Sequence, residues 1–368
     1  MKKKILKMVL CIMMAGSLAA CGSQKEAPAE TPVVESAETG ETATGETATG
    51  EGSQEPCVVR AIVPSTDSQY WNINIGYGIQ NAILDAEAAY GIDIDYELIG
   101  PATEAETDKY MSLLENAISQ KPDILIISTI MPDSTAPLVS EATSQGIRVY
   151  LNMDPVETIP QEDYVSRFSN KNSEMGEKGA LAFIEQIKEK GITPEGYVSV
   201  HMGGVNPELE KRLTTFKEVL NAEYPEIEVL DTAYNDNDVN RGIAQAEANL
   251  STYGDKLIGF FGGNNTSGVA IARCVEASGR DTNTLVSVSV DADDVAVEAL
   301  RVGNLDALIL QPSYSSIYKL TTQAMDTWVN GTEYPKEETG TSNVVTRSNI
   351  DNLDETTKSD LSPQDLKR

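Results

Sequence analysis

The sequence predicts an α/β chain of two lobes, each a parallel sheet flanked by helices, joined by a hinge. Three observations carry that expectation. From residue 57 to about 350, short β-branched apolar runs alternate with segments of helical period. Such alternation calls for parallel strands, helices on both faces and right-handed crossovers. A span of that length divides into two cores more readily than it fills one.

The elements follow in order. Val58–Val63 has the composition of a buried strand. Pro64-Ser65-Thr66-Asp67-Ser68 ends it with turn and cap residue types. Ile75, Ile79, Ala82, Ile83 and Ala86 then recur on one helical face, with Gly91 as the stop. Tyr70 and Trp71 sit where strand gives way to helix, at the carboxyl edge where open α/β sheets bind ligands. Ile92–Leu98 alternates apolar with acidic residues, as a half-exposed strand does. Thr103 with Glu106 reads as a capping box opening a helix to about Gln120, and Asp123–Ser128 as a strand buried on both faces. A helix near Ala136–Gln145 ends at Gly146, and Ile147–Asn152 is the next strand.

The second half repeats the scheme. Helices are expected at Ser173–Glu189, Pro207–Leu220, Asp238–Leu250, Ser267–Ala277, Asp293–Val302 and Ser315–Val329. Strands are expected at Tyr197–His201, Ile227–Leu230, Leu257–Phe261, Leu285–Val290, Ala307–Leu310 and Asn343–Thr346. The pattern places one lobe at 57–170 with 312–337 and the other at 171–311 with 338–350. Residues 351–368 read as a polar tail.

Ahead of this lies a different kind of sequence. Lys2, Lys3, Lys4 and Lys7 precede an apolar stretch, Ile5–Leu18, too short for a permanent membrane span. It closes on Leu18-Ala19-Ala20-Cys21-Gly22, which resembles the lipobox of bacterial lipoproteins. That resemblance implies a signal peptide at 1–20 and a lipid-bearing Cys21 anchoring the chain outside the cytoplasm. Residues 22–56 contain the repeat GETATGETATGE and almost nothing to bury, so 21–56 reads as a lipidated Cys and a disordered acidic spacer. Its flexible reach is about 30–35 Å.

Charge and composition exclude several functions. The net charge of −29 becomes about −33 once the four leader lysines are lost. A chain so acidic lacks the clustered Lys and Arg that nucleic acid requires. One histidine, His201, and no Cys/His cluster argue against a metal site, and no cofactor is expected. Beyond the leader and lipobox only Cys57 and Cys274 remain, which is no disulfide framework.

The inferred strands end in polar residues: Ser65, Ser128, Asn152, His201, Asn264, Asp291 and Gln311. Helix capping accounts for many such residues. Asp293 and Ser313 can cap their helices, which leaves Asp291 and Gln311 without that task. Arg212 lies early in its helix, near the same sheet edge.

The order of these residues resembles the ribose- and galactose-type periplasmic binding proteins, the sugar-binding subunits of ABC importers, over about residues 57–346. Ser65-Thr66-Asp67-Ser68-Gln69-Tyr70-Trp71 is similar to that family's first-strand motif, whose paired aromatics stack on a sugar ring. Arg212-Leu213-Thr214-Thr215-Phe216 resembles its Arg-x-x-Gly-Phe, with Thr215 in place of Gly. Gly263-Asn264-Asn265 is similar to its Asn-Asp loop, Ser289-Val290-Asp291 to its Gly-Phe-Asp, and Leu310-Gln311-Pro312 to its Gln. The Asp expected after the fourth strand appears as Met153-Asp154. The resemblance implies two Rossmann-like lobes of periplasmic binding protein type I. It implies a ligand held by Ser65, Asp67, Tyr70, Trp71, Asn152, Asp154, Arg212, Asn264, Asp291 and Gln311. The implied partners are a sugar or small polyol, an ABC permease and the membrane through Cys21, for a monomeric chain.

The chemistry suits a neutral polyol. Hydroxyls donate to Asp and Asn oxygens and accept from Arg and amide N–H groups, while an aromatic face covers the C–H surface of the ring. Asp154 and Asp291 would repel an anionic ligand more than Arg212 attracts it. An enzyme is not expected: with no nucleophile or metal motif, only a glycosidase-like carboxylate pair would remain. A transcription regulator of the same fold needs a basic helix-turn-helix where this chain has its leader and spacer. A ligand-sensing subunit for a membrane receptor is the alternative to transport that the residues leave open.

Overall fold

The computed structural model describes residues 56–153 and 157–362. The expected leader, Cys21, most of the spacer and Asp154 lie outside the described residues.

Two sheets carry the architecture. The first runs β12-β5-β4-β3-β1-β2, and all its pairings are parallel. Its strands are β1 (Cys57–Ile62), β2 (Ile94–Ile99), β3 (Ile124–Ser128), β4 (Arg148–Asn152), β5 (Ser166–Ser169) and β12 (Glu337–Thr339). Helices α1 (Gly78–Tyr90) and α9 (Ser313–Asn330) cover one face through Ile79, Ile83, Ile317 and Leu320 against Val59, Ile124 and Ile126. Helices α2 (Thr107–Ser119) and α3 (Pro132–Ser144) cover the other through Leu114, Ile118 and Val139 against Leu125 and Ile127. Every residue of β3 is buried, as its apolar run requires.

The second sheet runs β13-β11-β10-β9-β6-β7, with β8 (Ala233–Tyr234) beside β6 past the end of β7. It comprises β6 (Gly196–Met202), β7 (Ile227–Val229), β9 (Leu257–Gly262), β10 (Val286–Val290), β11 (Ala307–Leu310) and β13 (Asn343–Thr346). Helices α4 (Asn172–Lys190) and α5 (Pro207–Glu223) pack on one face, where Phe183 meets Phe216 edge-on. Helices α6 (Val239–Tyr253), α7 (Asn265–Ser278) and α8 (Asp294–Val302) contribute to the other. The last strand, β13, departs from the all-parallel expectation by lying antiparallel to β11.

The chain passes between the sheets after β5, after β11 and after β12. These crossings run close together. A Cβ on Gly340 would lie 2.2 Å from Pro312 Cγ and 2.8 Å from Phe168 Cζ, so only glycine fits there.

Several elements differ from the sequence expectation for local reasons. The β5 strand, Ser-Arg-Phe-Ser, has no apolar run to announce it; Arg167 is held by Glu337 at 2.9 Å and by the Tyr164 ring. The expected capping box does not open α2. The Glu106 carboxylate accepts the Thr103 N–H at 3.0 Å, making a turn, and the helix starts at Thr107. Residues 351–368, read as a polar tail, contain the helix α10 (Glu355–Leu361), capped by Asp354. Its Asp360 is buried and accepts from the Ser315 N–H at 2.9 Å and the Ser315 hydroxyl at 2.8 Å. Asp360 thereby caps α9, the task expected of Ser313. Cys57 and Cys274 are buried free thiols in separate cores.

Candidate ligand-binding site

The carboxyl ends of strands from both sheets face one cleft of about 990 Å³. Ser65, Asp67, Tyr70, Trp71 and Asn152 line it from the first sheet's side, and Arg212, Asn264, Asp291 and Gln311 from the second's. Asp154, the remaining expected contact, falls outside the described residues.

Tyr70 and Trp71 open a π-helical stretch, Tyr70–Tyr77, that runs into α1. Such wide turns recur at functional sites because they reorient side chains within a helix. The two rings meet edge-to-face, with centroids 4.8 Å apart. Trp71 is only 8 % exposed and joins the core with Ile75 and Ile79, so it is both a packing residue and part of the cleft wall. Its indole Nε1–H donates to Glu104 Oε1 at 2.6 Å. Ser65 is spent on the loop itself: its hydroxyl donates to Ala102 O at 2.6 Å and accepts the Ser68 N–H at 3.0 Å. Asp67 is exposed at the rim. Asn152 donates to Ser128 Oγ at 3.1 Å.

On the opposite wall, Arg212 is 3 % exposed. Its Nε donates to Asn172 Oδ1 at 2.8 Å and its Nη1 to Gly263 O at 2.9 Å. Gly176 makes this placement possible, since a Cβ there would lie 2.2 Å from Arg212 O, where α4 and α5 touch. Asn264 caps α7 by accepting the Ser267 N–H at 3.3 Å and donates to Asn237 at 2.9 Å. Asp293 caps α8, accepting the Ala296 N–H at 2.8 Å, so Asp291 is not needed for that helix.

Asp291 holds the left-handed conformation, φ +69, a region that Asp tolerates better than most side chains. Its carboxylate accepts from Gln311 Nε2 and from the Asn265 N–H, the latter at 3.3 Å. Burial pushes the Asp291 carboxyl above the usual carboxylate range, against the opposing pull of Arg212 and of these hydrogen bonds. Arg212 is the one cationic residue among the described residues of the cleft, while Asp67, Glu104, Asp133, Glu208, Asp236, Asp291 and Asp293 are acidic. The balance disfavours an anionic ligand. The described residues contain no group of three His, Cys, Asp or Glu placed to hold a metal.

A family profile of the periplasmic binding protein domain matches residues 59–332, most of the chain. The chain belongs to that family. The D-apiose import binding protein of Actinobacillus succinogenes is 22% identical over 281 residues, covering 76% of this chain and 84% of that protein. An ABC transporter solute-binding protein from Agrobacterium vitis, solved with α-D-tagatopyranose, gives a TM-score of 0.67 at 23% identity, over 83% of this chain and 99% of its own. A carbohydrate transporter solute-binding protein from Agrobacterium radiobacter, solved with D-arabinose, gives 0.69 at 20% identity, over 84% and 100%. At these identities the likeness establishes a shared fold, the two-sheet architecture of the periplasmic binding proteins.

Other residues of this periplasmic binding protein line the cleft that sequence reasoning missed. Glu104 falls in the first turn of the helix expected from Thr103, with nothing to mark it, yet it fixes the Trp71 indole. Asn170 and Asn172 follow a strand that has no apolar signature. Asn265 stood beside Asn264 in the quoted motif, and nothing in the sequence separates the capping amide from its neighbour.

Proposed function

We propose that this protein captures a sugar or related small polyol between its two lobes and delivers it to an ABC-type importer, without catalysing a reaction. In this reading residues 57–170 with 312–337 and 171–311 with 338–350 are the lobes. The lipid on Cys21 anchors them outside the cytoplasm, and the chain works as a monomer.

The observation that carries the reading is the pairing of walls across one cleft. Tyr70 and Trp71 present aromatic surface on one side, and Arg212, Asp291 and Gln311 present a donor and acceptors on the other. A polyol needs both: a face for its C–H surface and partners of both kinds for its hydroxyls. The relatives that import D-apiose or were solved with D-tagatose and D-arabinose support the same ligand class. Asp154 would add an acceptor to this set.

Differential scanning of the full chain against pentoses, hexoses and cyclitols tests it, because a ligand bound only by the folded state raises the melting temperature. A rise with at least one neutral polyol, and recovery of that polyol unchanged after prolonged incubation, is expected. No rise with any of them, or conversion of the bound compound, overturns the reading.

A further inference from the structure

We propose that Asn170 and Asn265, which flank the Asp291–Gln311 pair, are both ligand contacts. In this arrangement Asn170 accepts from a ligand hydroxyl and Asn265 donates to one. The inference rests on the reading of the cleft as a polyol site, and it specifies which way the hydroxyl protons must point.

Asp291 sets the polarity. An ionised carboxylate only accepts. Gln311 Nε2 donates to Asp291 Oδ1, which fixes the Gln311 amide and turns its Oε1 outward as an acceptor. That oxygen takes the Nδ2–H of Asn170 at 3.0 Å. The second amide is thereby fixed too, and Asn170 Oδ1 is left as an acceptor. It is shielded from solvent and has no partner among the described residues. On the other flank, Asp291 Oδ2 accepts the main-chain N–H of Asn265 at 3.3 Å, and Asn265 Nδ2 is a shielded donor, also without a partner.

A buried polar end left without a partner destabilises the fold. Native proteins leave few such ends, and here one terminates the Asp291–Gln311–Asn170 chain and the other belongs to the residue whose main-chain N–H joins Asp291, both on the cleft wall. Both residues line the cleft, so a ligand seated there lies beside each end. A hydroxyl facing Asn170 satisfies it by donating; a fluorine, an ether oxygen or a ligand carboxylate at that place does not. A hydroxyl facing Asn265 needs only to accept. The network also joins the segment following β5 to the ends of β10 and β11, so the ligand completes a bridge that spans the crossing between the sheets.

The test uses the full chain and calorimetric titration with D-arabinose, D-fucose, D-tagatose and D-apiose, then the mono-deoxyfluoro analogues of whichever binds tightest. Fluorine keeps the size of a hydroxyl but cannot donate. One analogue should bind the wild type about tenfold or more weakly than its parent, a difference of about 1.4 kcal/mol. In Asn170→Ala and in the milder Asn170→Ser, parent and that analogue should bind within about threefold of each other, at unchanged melting temperature for at least one variant. Asn265→Ala should weaken the parent by a similar factor and leave the fluoro discrimination in place. The proposal is overturned if Asn170→Ala and Asn265→Ala bind the parent like wild type, or if the discrimination persists in both Asn170 variants. If the wild type binds none of the four sugars nor any other neutral polyol, the polyol reading itself falls and this inference with it.

Discussion

Arg212 donates through Nε to Asn172 Oδ1 at 2.8 Å, joining the start of α5 to the first turn of α4. With Nη1 held by Gly263 O, the guanidinium is fixed in place, which lowers the ordering cost of binding. Arg212→Ala should therefore act twice. Loss of the ligand contact should weaken binding by about 2–4 kcal/mol, roughly 30- to 1000-fold. Loss of the guanidinium's hydrogen bonds to Asn172 and Gly263 should also lower stability, by about 1–3 kcal/mol. Titration calorimetry and urea unfolding separate the two effects.

Trp71 couples core and cleft in the same way. Trp71→Ala should cost about 3–5 kcal/mol of stability because it empties a packed site. Trp71→Phe keeps an aromatic face but leaves Glu104 without its donor, so it should retain the fold and lose affinity. Glu104→Gln, which can still accept the indole N–H, should behave closer to wild type than Glu104→Ala. Thermal melts alongside ligand titrations check the ordering.

Two buried groups give opposing pH dependences. Burial holds the His201 imidazole down, to about 4, from an ordinary value of 6.5. The unfolded chain then takes up its proton first, so stability present above pH 6.5 is lost as pH falls toward 4. Burial pushes the Asp360 carboxyl up, from 3.8 to about 6, against the hydrogen bonds it accepts from Ser315. The folded chain holds that proton longer, so stability present below pH 4 is lost as pH rises through 6. Each effect amounts to about 3 kcal/mol and they oppose each other over the same window. His201→Gln should make the protein relatively more stable at pH 4.5 than at pH 7, and Asp360→Asn the reverse. Melting temperatures at the two pH values, each variant against wild type, give the signs.

What was legible follows from where each residue's signal lies. The apolar runs of β1, β3, β9 and β11 and the glycines that stop α1 and α4 announce themselves, and these set the two-sheet fold. The strand β5 did not, because Arg167 is buried by pairing with Glu337, more than a hundred residues away in sequence. The same kind of distance hid the cap of α9: Asp360 reaches Ser315 from the far end of the chain. Asp291 and Gln311 stood out in the sequence because their own following helices have other cap candidates, and Arg212 because it lies early in its helix near the same sheet edge; all three line the cleft. Asn170 and Asn265 did not. Asn170 matters for the amide oxygen that the Asp291–Gln311 chain leaves over, and Asn265 for a shielded side-chain donor beside Asp291, and neither shows in a sequence.

The three crossings should act as a hinge. Ligand at saturation should lower the radius of gyration measured by solution scattering. Gly340→Val should reduce that change, because the added side chain collides with Pro312 and Phe168 where the crossings touch. A wild-type profile unaltered by saturating ligand would count against closure.

The central claim is that the Arg212–Asp291 wall and the Tyr70–Trp71 wall hold one polyol between them. Isothermal titration of the full chain with the tightest sugar of the panel measures this most directly, on wild type, Arg212→Ala and Asp291→Ala. The expected result is one site per chain in the wild type and a loss of roughly 30-fold or more in each variant. If both variants bind the sugar like wild type, the ligand is held elsewhere and the account of this cleft is wrong.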